Sequence, residues 1–104
     1  MIRKANVMHV YRDKFDAYKK RHDQLWPEME RVLKEHGVSN YSIFLHEPTA
    51  TLFAYLEVDS EELHAEIAST DECKRWWAYM QDIMETNPDN SPVSEDLKEV
   101  FHLN

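Results

Sequence analysis

Glycine is almost missing from this sequence. Gly37 stands alone among 104 residues, whereas a loop that cradles phosphate needs several glycines to let its backbone approach the ligand. Neither a P-loop nor a dinucleotide-binding fingerprint can be written with one. The serine elbow of the α/β-hydrolases, which needs glycines on both sides of its serine, is excluded on the same ground. Cysteine is as scarce. With Cys73 alone, no intrachain disulfide and no thiolate metal cluster can form, a pattern that suits a reducing compartment. Positive charge is also short: twelve Lys and Arg against twenty Asp and Glu leave a net charge of -8. That field repels a phosphate backbone or an anionic membrane, so neither nucleic acid nor a lipid surface is expected as a partner. No apolar run approaches the ~20 residues that span a bilayer. The opening Met1-Ile2-Arg3-Lys4-Ala5-Asn6 reaches polar residues too soon for a secretion signal. A cytoplasmic protein is the expectation.

Aromatic residues, by contrast, are plentiful: three Trp, five Tyr and four Phe within a composition that is 42% hydrophobic. This is enough for a core, and the length fits a single domain over residues 1–104. Loose alternation predicts a strand over 2–10. From Asp13, a candidate N-cap, apolar residues recur at helical spacing through Tyr18, His22, Leu25 and Met29 to His36. Pro27 interrupts the stripe, so the helix should break near 23–26 and restart with the proline in its first turn. Gly37 should then end the second piece in a left-handed conformation. Residues 40–47 and 51–59 predict a hairpin, Ser60 opens a helix, and Asp71 restarts it through Trp76, Trp77, Met80 and Met84. The stretch Asn87 to Pro92 is crowded with turn formers and cannot be regular, and 97–103 predicts a last strand. The order is that of an α+β, ferredoxin-like βαββαβ fold with an antiparallel sheet. Both hairpin strands are apolar on both faces, which a sheet covered on one side only would not be. The expected cover is a second subunit, giving a homodimer of the dimeric α/β-barrel type.

Two constellations could carry chemistry. Tyr18 and His22, four residues apart, share a helix face. His22 can be an interior histidine or, beside the predicted break where carbonyls lose their partners, a general acid whose charged form the helix dipole favours. Trp76 and Trp77 are neighbours, so their side chains point about 100° apart on a helix. One can serve the core while the other walls a pocket for a ligand with an apolar C–H face and a hydroxyl rim, such as a sugar. No histidine pair has metal-ligand spacing, and although His9, His46 and His102 fall on separate strands that could meet, no metal is expected. Cys73 is expected to be half-buried. Glu57, flanked by apolar residues in a strand, should face a polar cavity or the subunit boundary.

The segments Tyr18 with Lys20-Arg21-His22, Leu25-Trp26-Pro27-Glu28, Asn40-Tyr41, Ala68-Ser69-Thr70-Asp71, Arg75-Trp76-Trp77 and Asn87-Pro88-Asp89-Asn90-Ser91-Pro92 together resemble the L-rhamnose mutarotases. The similarity runs from end to end. It implies a dimeric ferredoxin-like enzyme that interconverts the α and β anomers of L-rhamnose without a cofactor. It also implies that His22 is the proton donor and that Tyr18, Tyr41, Trp76 and Trp77 contact the sugar. Ring opening of a hemiacetal needs an acid at the ring oxygen and a base at the anomeric hydroxyl. His22 would be the acid on opening and the base on reclosure, with a tyrosine, a carboxylate or a water as the complementary base. Two rivals remain at this stage: a cofactor-independent monooxygenase of the dimeric ferredoxin-like type, and a non-catalytic sugar-binding dimer.

Overall fold

A computed structural model describes residues 1–104. Strand β1 (Ile2–His9) leads through a tight turn into α1 (Phe15–Asp23) and α2 (Pro27–Glu35). The hairpin β2 (Val38–His46) and β3 (Thr51–Val58) follows, then α3 (Glu61–Glu66), α4 (Asp71–Met80) and β4 (Glu95–Leu97). The four strands form one antiparallel sheet in the order β2-β3-β1-β4. The helices cover one face. This is the ferredoxin-like arrangement expected of the element order.

Local chemistry explains most of the boundaries. α2 starts at Pro27, where a missing N–H costs nothing. It ends before Gly37, which takes φ 79° and packs against the Asp59 side chain, so that an added Cβ would lie 3.0 Å from it. The hydroxyls of Ser60 and Thr70 accept from the backbone N–H groups of Leu63 and Cys73, capping α3 and α4.

Three boundaries differ from the sequence expectation. Asp13 is not an N-cap: Arg12–Lys14 form a tight 3₁₀ turn, and α1 begins at Phe15 with no side-chain cap. α4 stops at Met80, because Met84 pairs with Val10 as an isolated bridge while Glu85 N–H bonds the His9 carbonyl. The last strand is only Glu95–Leu97, bonded to Ala5–Val7 of β1. Beyond it the alternating segment finds no neighbouring strand in the protomer, leaving Val100, Phe101 and Leu103 at least three-quarters exposed.

The core lies between sheet and helices. Leu52, Ala54, Leu56 and Val58 of β3 and Met8 and Val10 at the end of β1 meet Met29, Val32, Cys73, Trp76 and Met80. The alternate residues of β3 point the other way, and Phe53, with Phe44 on β2, is exposed. The second face of the sheet is therefore open in the single protomer. Glu57 lies on that face, its carboxylate accepting from Asn40 Nδ2 and Tyr55 OH, both at 2.8 Å.

Candidate active site

Between the inner face of the sheet and the helices lies a cavity of about 970 Å³, and Tyr18, His22, Tyr41, Trp76 and Trp77 all line it. The sequence separates these residues by up to 59 positions; the fold brings them around one cavity.

His22 is on the last turn of α1. Its Nδ1–H donates to the Tyr18 carbonyl one helical turn back, at 3.0 Å. A carbonyl can only accept, so Nδ1 carries the proton and Nε2 is the nitrogen left to exchange protons with a ligand. The ring stacks on Tyr18 (4.3 Å between centroids, 25° between planes) and meets the Trp76 indole edge-on (5.4 Å, 90°). Burial in this aromatic slot lowers the His22 pKa below its ordinary value, against the opposing pull of the Tyr18 carbonyl and of Asp23. The helix-dipole expectation of a favoured imidazolium is thus overturned: desolvation outweighs it.

The two tryptophans divide their labour. Trp76 is buried and touches His22, whereas Trp77 is half-buried, packs against the core and also borders the cavity. Behind Trp76 stands a set of residues that periodicity did not single out. Trp26 meets Trp76 edge-on at 5.1 Å, and Tyr79 leans on both indoles. The Arg21 guanidinium lies 4.3 Å over the Tyr79 ring, donates to the Tyr79 carbonyl at 2.6 Å and pairs with both oxygens of Asp82 at 2.8 and 3.2 Å. Arg21 thereby ties α1 to the end of α4 and fixes His22 against Trp76. Arg21 and Asp82 are 61 residues apart, beyond any local pattern; the signals for Trp26 were its place beside the break at Pro27 and in the Leu25-Trp26-Pro27-Glu28 segment.

Tyr41 owes its direction to a β-bulge. The register of β2 on β3 shifts between Ser39 and Ser42, with Asn40 at φ 48°. Val38 and Ile43 both oppose inward residues of β3, Val58 and Ala54, although one number is even and the other odd. The extra residue reverses the alternation and turns Tyr41 toward the cavity. Asn tolerates the left-handed conformation this demands. Tyr41 is 42% exposed as a residue, but its hydroxyl end is desolvated, and burial, with Cys73 beside it, raises its pKa. Burial raises that of Tyr18 likewise, with Tyr41 adding to it. Burial thus disfavours the phenolate form of both side chains. Cys73 is fully buried rather than half-buried, its thiol pushed up to about 11 by desolvation.

Asn90 and Pro92 of the Asn87–Pro92 turn rim the cavity, the turn being tied by the Asn87 N–H to Ser91 carbonyl bond. His9 and His46 flank Thr51 in one row of the sheet, while His102 lies past β4. No three of His, Cys, Asp and Glu stand close enough to hold a metal.

A family model described as L-rhamnose mutarotase matches residues 3–103. The chain belongs to the L-rhamnose mutarotase family. It is 64% identical over 103 residues to the L-rhamnose mutarotase of Shouchella clausii and 55% identical to that of Bacillus subtilis, with 99% of each chain covered in both cases. A crystal structure of the L-rhamnose mutarotase of Formosa agariphila superposes with a TM-score of 0.92 at 48% identity, over all of both chains. A putative antibiotic biosynthesis monooxygenase from Nitrosomonas europaea reaches a TM-score of 0.65 at 16% identity, over 97% of this chain and all of that one. That likeness is one of fold alone, and it does not favour the monooxygenase rival.

Proposed function

We propose that this protein interconverts the α and β anomers of L-rhamnopyranose, as a cytoplasmic isomerase of rhamnose metabolism, and that His22 carries the proton. The observation behind the role is the commitment of Nδ1 to the Tyr18 carbonyl. With one nitrogen fixed as a donor, Nε2 gives a proton only from the imidazolium and takes one only as the neutral ring. In the opening direction the imidazolium protonates the ring oxygen as the C1–O5 bond breaks, while a carboxylate or water takes the anomeric hydroxyl proton. Rotation about C1–C2 then presents the other face of the aldehyde. His22 recovers the proton as the ring closes. Its lowered pKa makes the imidazolium a stronger acid, though a less populated one near neutrality. Tyr18 and Tyr41 donate hydrogen bonds to sugar hydroxyls, and Trp76 and Trp77 shape the slot for the apolar face of the ring. No cofactor or metal takes part.

The second half of the proposal is a homodimer. Phe44 at 67% exposure and Phe53 at 42% form apolar ground on the outer face of the sheet, which a second copy would cover. Sedimentation at a single-chain mass at micromolar concentration would remove this part without touching the chemistry.

Saturation-transfer NMR on equilibrated L-rhamnose tests the activity. Irradiating one anomeric proton should diminish the other when the protein is present. Transfer at the buffer rate alone would reject the mutarotase reading and favour a sugar-binding dimer.

A further inference from the structure

The cavity is not uniform, and the end under α3 is polar. Asn6 of β1 opposes Ala54 on one side and Asp96 of β4 on the other, on the same face as buried Met8. Lys4, two residues earlier on that face, pairs with Glu61 of α3 at 3.2 Å. This contact joins α3 to the strand at the end where His64 lies, and Asn6, His64 and Asp96 all line the cavity that holds His22. Asn6 Oδ1 is sealed from solvent and has no hydrogen-bond partner, the one buried side-chain polar atom in the protein so placed. An acceptor in that state costs stability. Leucine at this position would complete the row of Met8 and Val10 without the cost. A site built to hydrogen-bond a ligand hydroxyl carries such a group, and the ligand supplies the missing partner.

We propose that Asn6 is a specificity-determining residue, its amide pairing with a hydroxyl of the sugar remote from C1, with Asp96 and His64 bordering the same hydroxyl. This deepens the mutarotase reading and rests on it. A hydroxyl both donates and accepts, so a turn of the amide about its last torsion lets either end serve. The interaction is made equally in the ground state and during ring opening, because it lies away from the reacting bonds. It therefore lowers KM rather than raising kcat.

The test is Asn6→Leu, assayed by anomer-exchange NMR on L-rhamnose and on its 2-, 3- and 4-deoxy analogues, together with thermal melting. KM for L-rhamnose is expected to rise about three- to ten-fold, the worth of one neutral hydrogen bond, with kcat within about two-fold. The KM penalty should vanish for the analogue lacking the hydroxyl that Asn6 holds. The melting temperature should stay level or rise, since an unpartnered acceptor has been removed, whereas a merely structural role predicts a fall. Asn6→Asp, which keeps an acceptor, should restore part of the affinity, and it serves as the second variant should the leucine chain fail to fold. An unchanged KM overturns the inference, as does a penalty uniform across the analogues. If the unsubstituted protein exchanges no anomers, the mutarotase reading itself has failed. An active parent with an indifferent Asn6 variant sinks only the present step.

Discussion

The two faces of the sheet both carry large apolar residues and have opposite fates. The inner face places Leu52, Ala54, Leu56 and Val58 under the helices, each 3% exposed or less, and beside them it turns Tyr41 and Asn6 into the cavity. The outer face carries Phe44, Phe53 and Tyr55 and leaves them uncovered or half-covered, with Glu57 pinned among them by Asn40 and Tyr55. Hydrophobicity alone does not distinguish the two. What distinguishes them is what packs on top, and the β2 bulge decides which face receives each residue of that strand. Asn40 makes the point twice: its backbone delivers Tyr41 inward, while its side chain anchors the outer network.

The sharpest way to break this division is at the inner face's chemical group. His22→Gln is expected to lower kcat by about 10²- to 10⁴-fold with KM changed only a few-fold and melting preserved. Equal losses in binding and turnover would mean that His22 is a contact and not the acid. Leu52→Ala should cost about 2–5 kcal/mol in urea denaturation, as a core truncation does. A change at Phe44 should leave protomer packing alone and show instead in sedimentation, where Phe44→Asp should yield the single-chain mass. Should the Asp variant sediment like its parent, the outer face is not the subunit boundary. Asn40→Val forces a β-branched residue into a left-handed conformation, at a cost of about 1–2 kcal/mol. It should also weaken sugar binding, as Tyr41→Phe should, since the bulge aims that tyrosine.

The smallest expected effect is on pH. Burial lowers the pKa of His22, and burial foremost also lowers that of His64. The unfolded chain then binds more protons than the folded one between those depressed values and the ordinary histidine value near 6.5. Stability should rise with pH across that window and be lost as pH falls through it, and His22→Gln should flatten the slope. Turnover should run the other way, declining as pH rises past the lowered pKa because the donor is the imidazolium. A rate that climbs with pH through that range would make His22 the base in ring opening.

Much of the site was legible before the fold was seen, because it is local. Tyr18 and His22 are one helical turn apart, Trp76 and Trp77 are adjacent, and Pro27 and Gly37 mark their own boundaries through missing donors and positive φ. The 87–92 segment announced a loop by composition. Less legible was whatever depended on partners far along the chain. Arg21 reaches Asp82 across the whole hairpin, and Trp26 meets Trp76 only once the α1–α2 break folds against α4. The last strand misled for the same reason: residues 97–103 alternate like a strand, but a strand is one only where a neighbour bonds it, and β1 offers a neighbour to Glu95–Leu97 alone.

The chain by itself determined the order of its elements, the exclusion of phosphate-loop chemistry and the residues facing one another on a helix, since periodicity and backbone restriction act over a few residues. The tertiary structure alone decided three matters: the lowering of the His22 pKa, the direction of Tyr41 and the isolation of Asn6. Each depends on desolvation or register, and both are set by surfaces that meet only when the sheet and helices close.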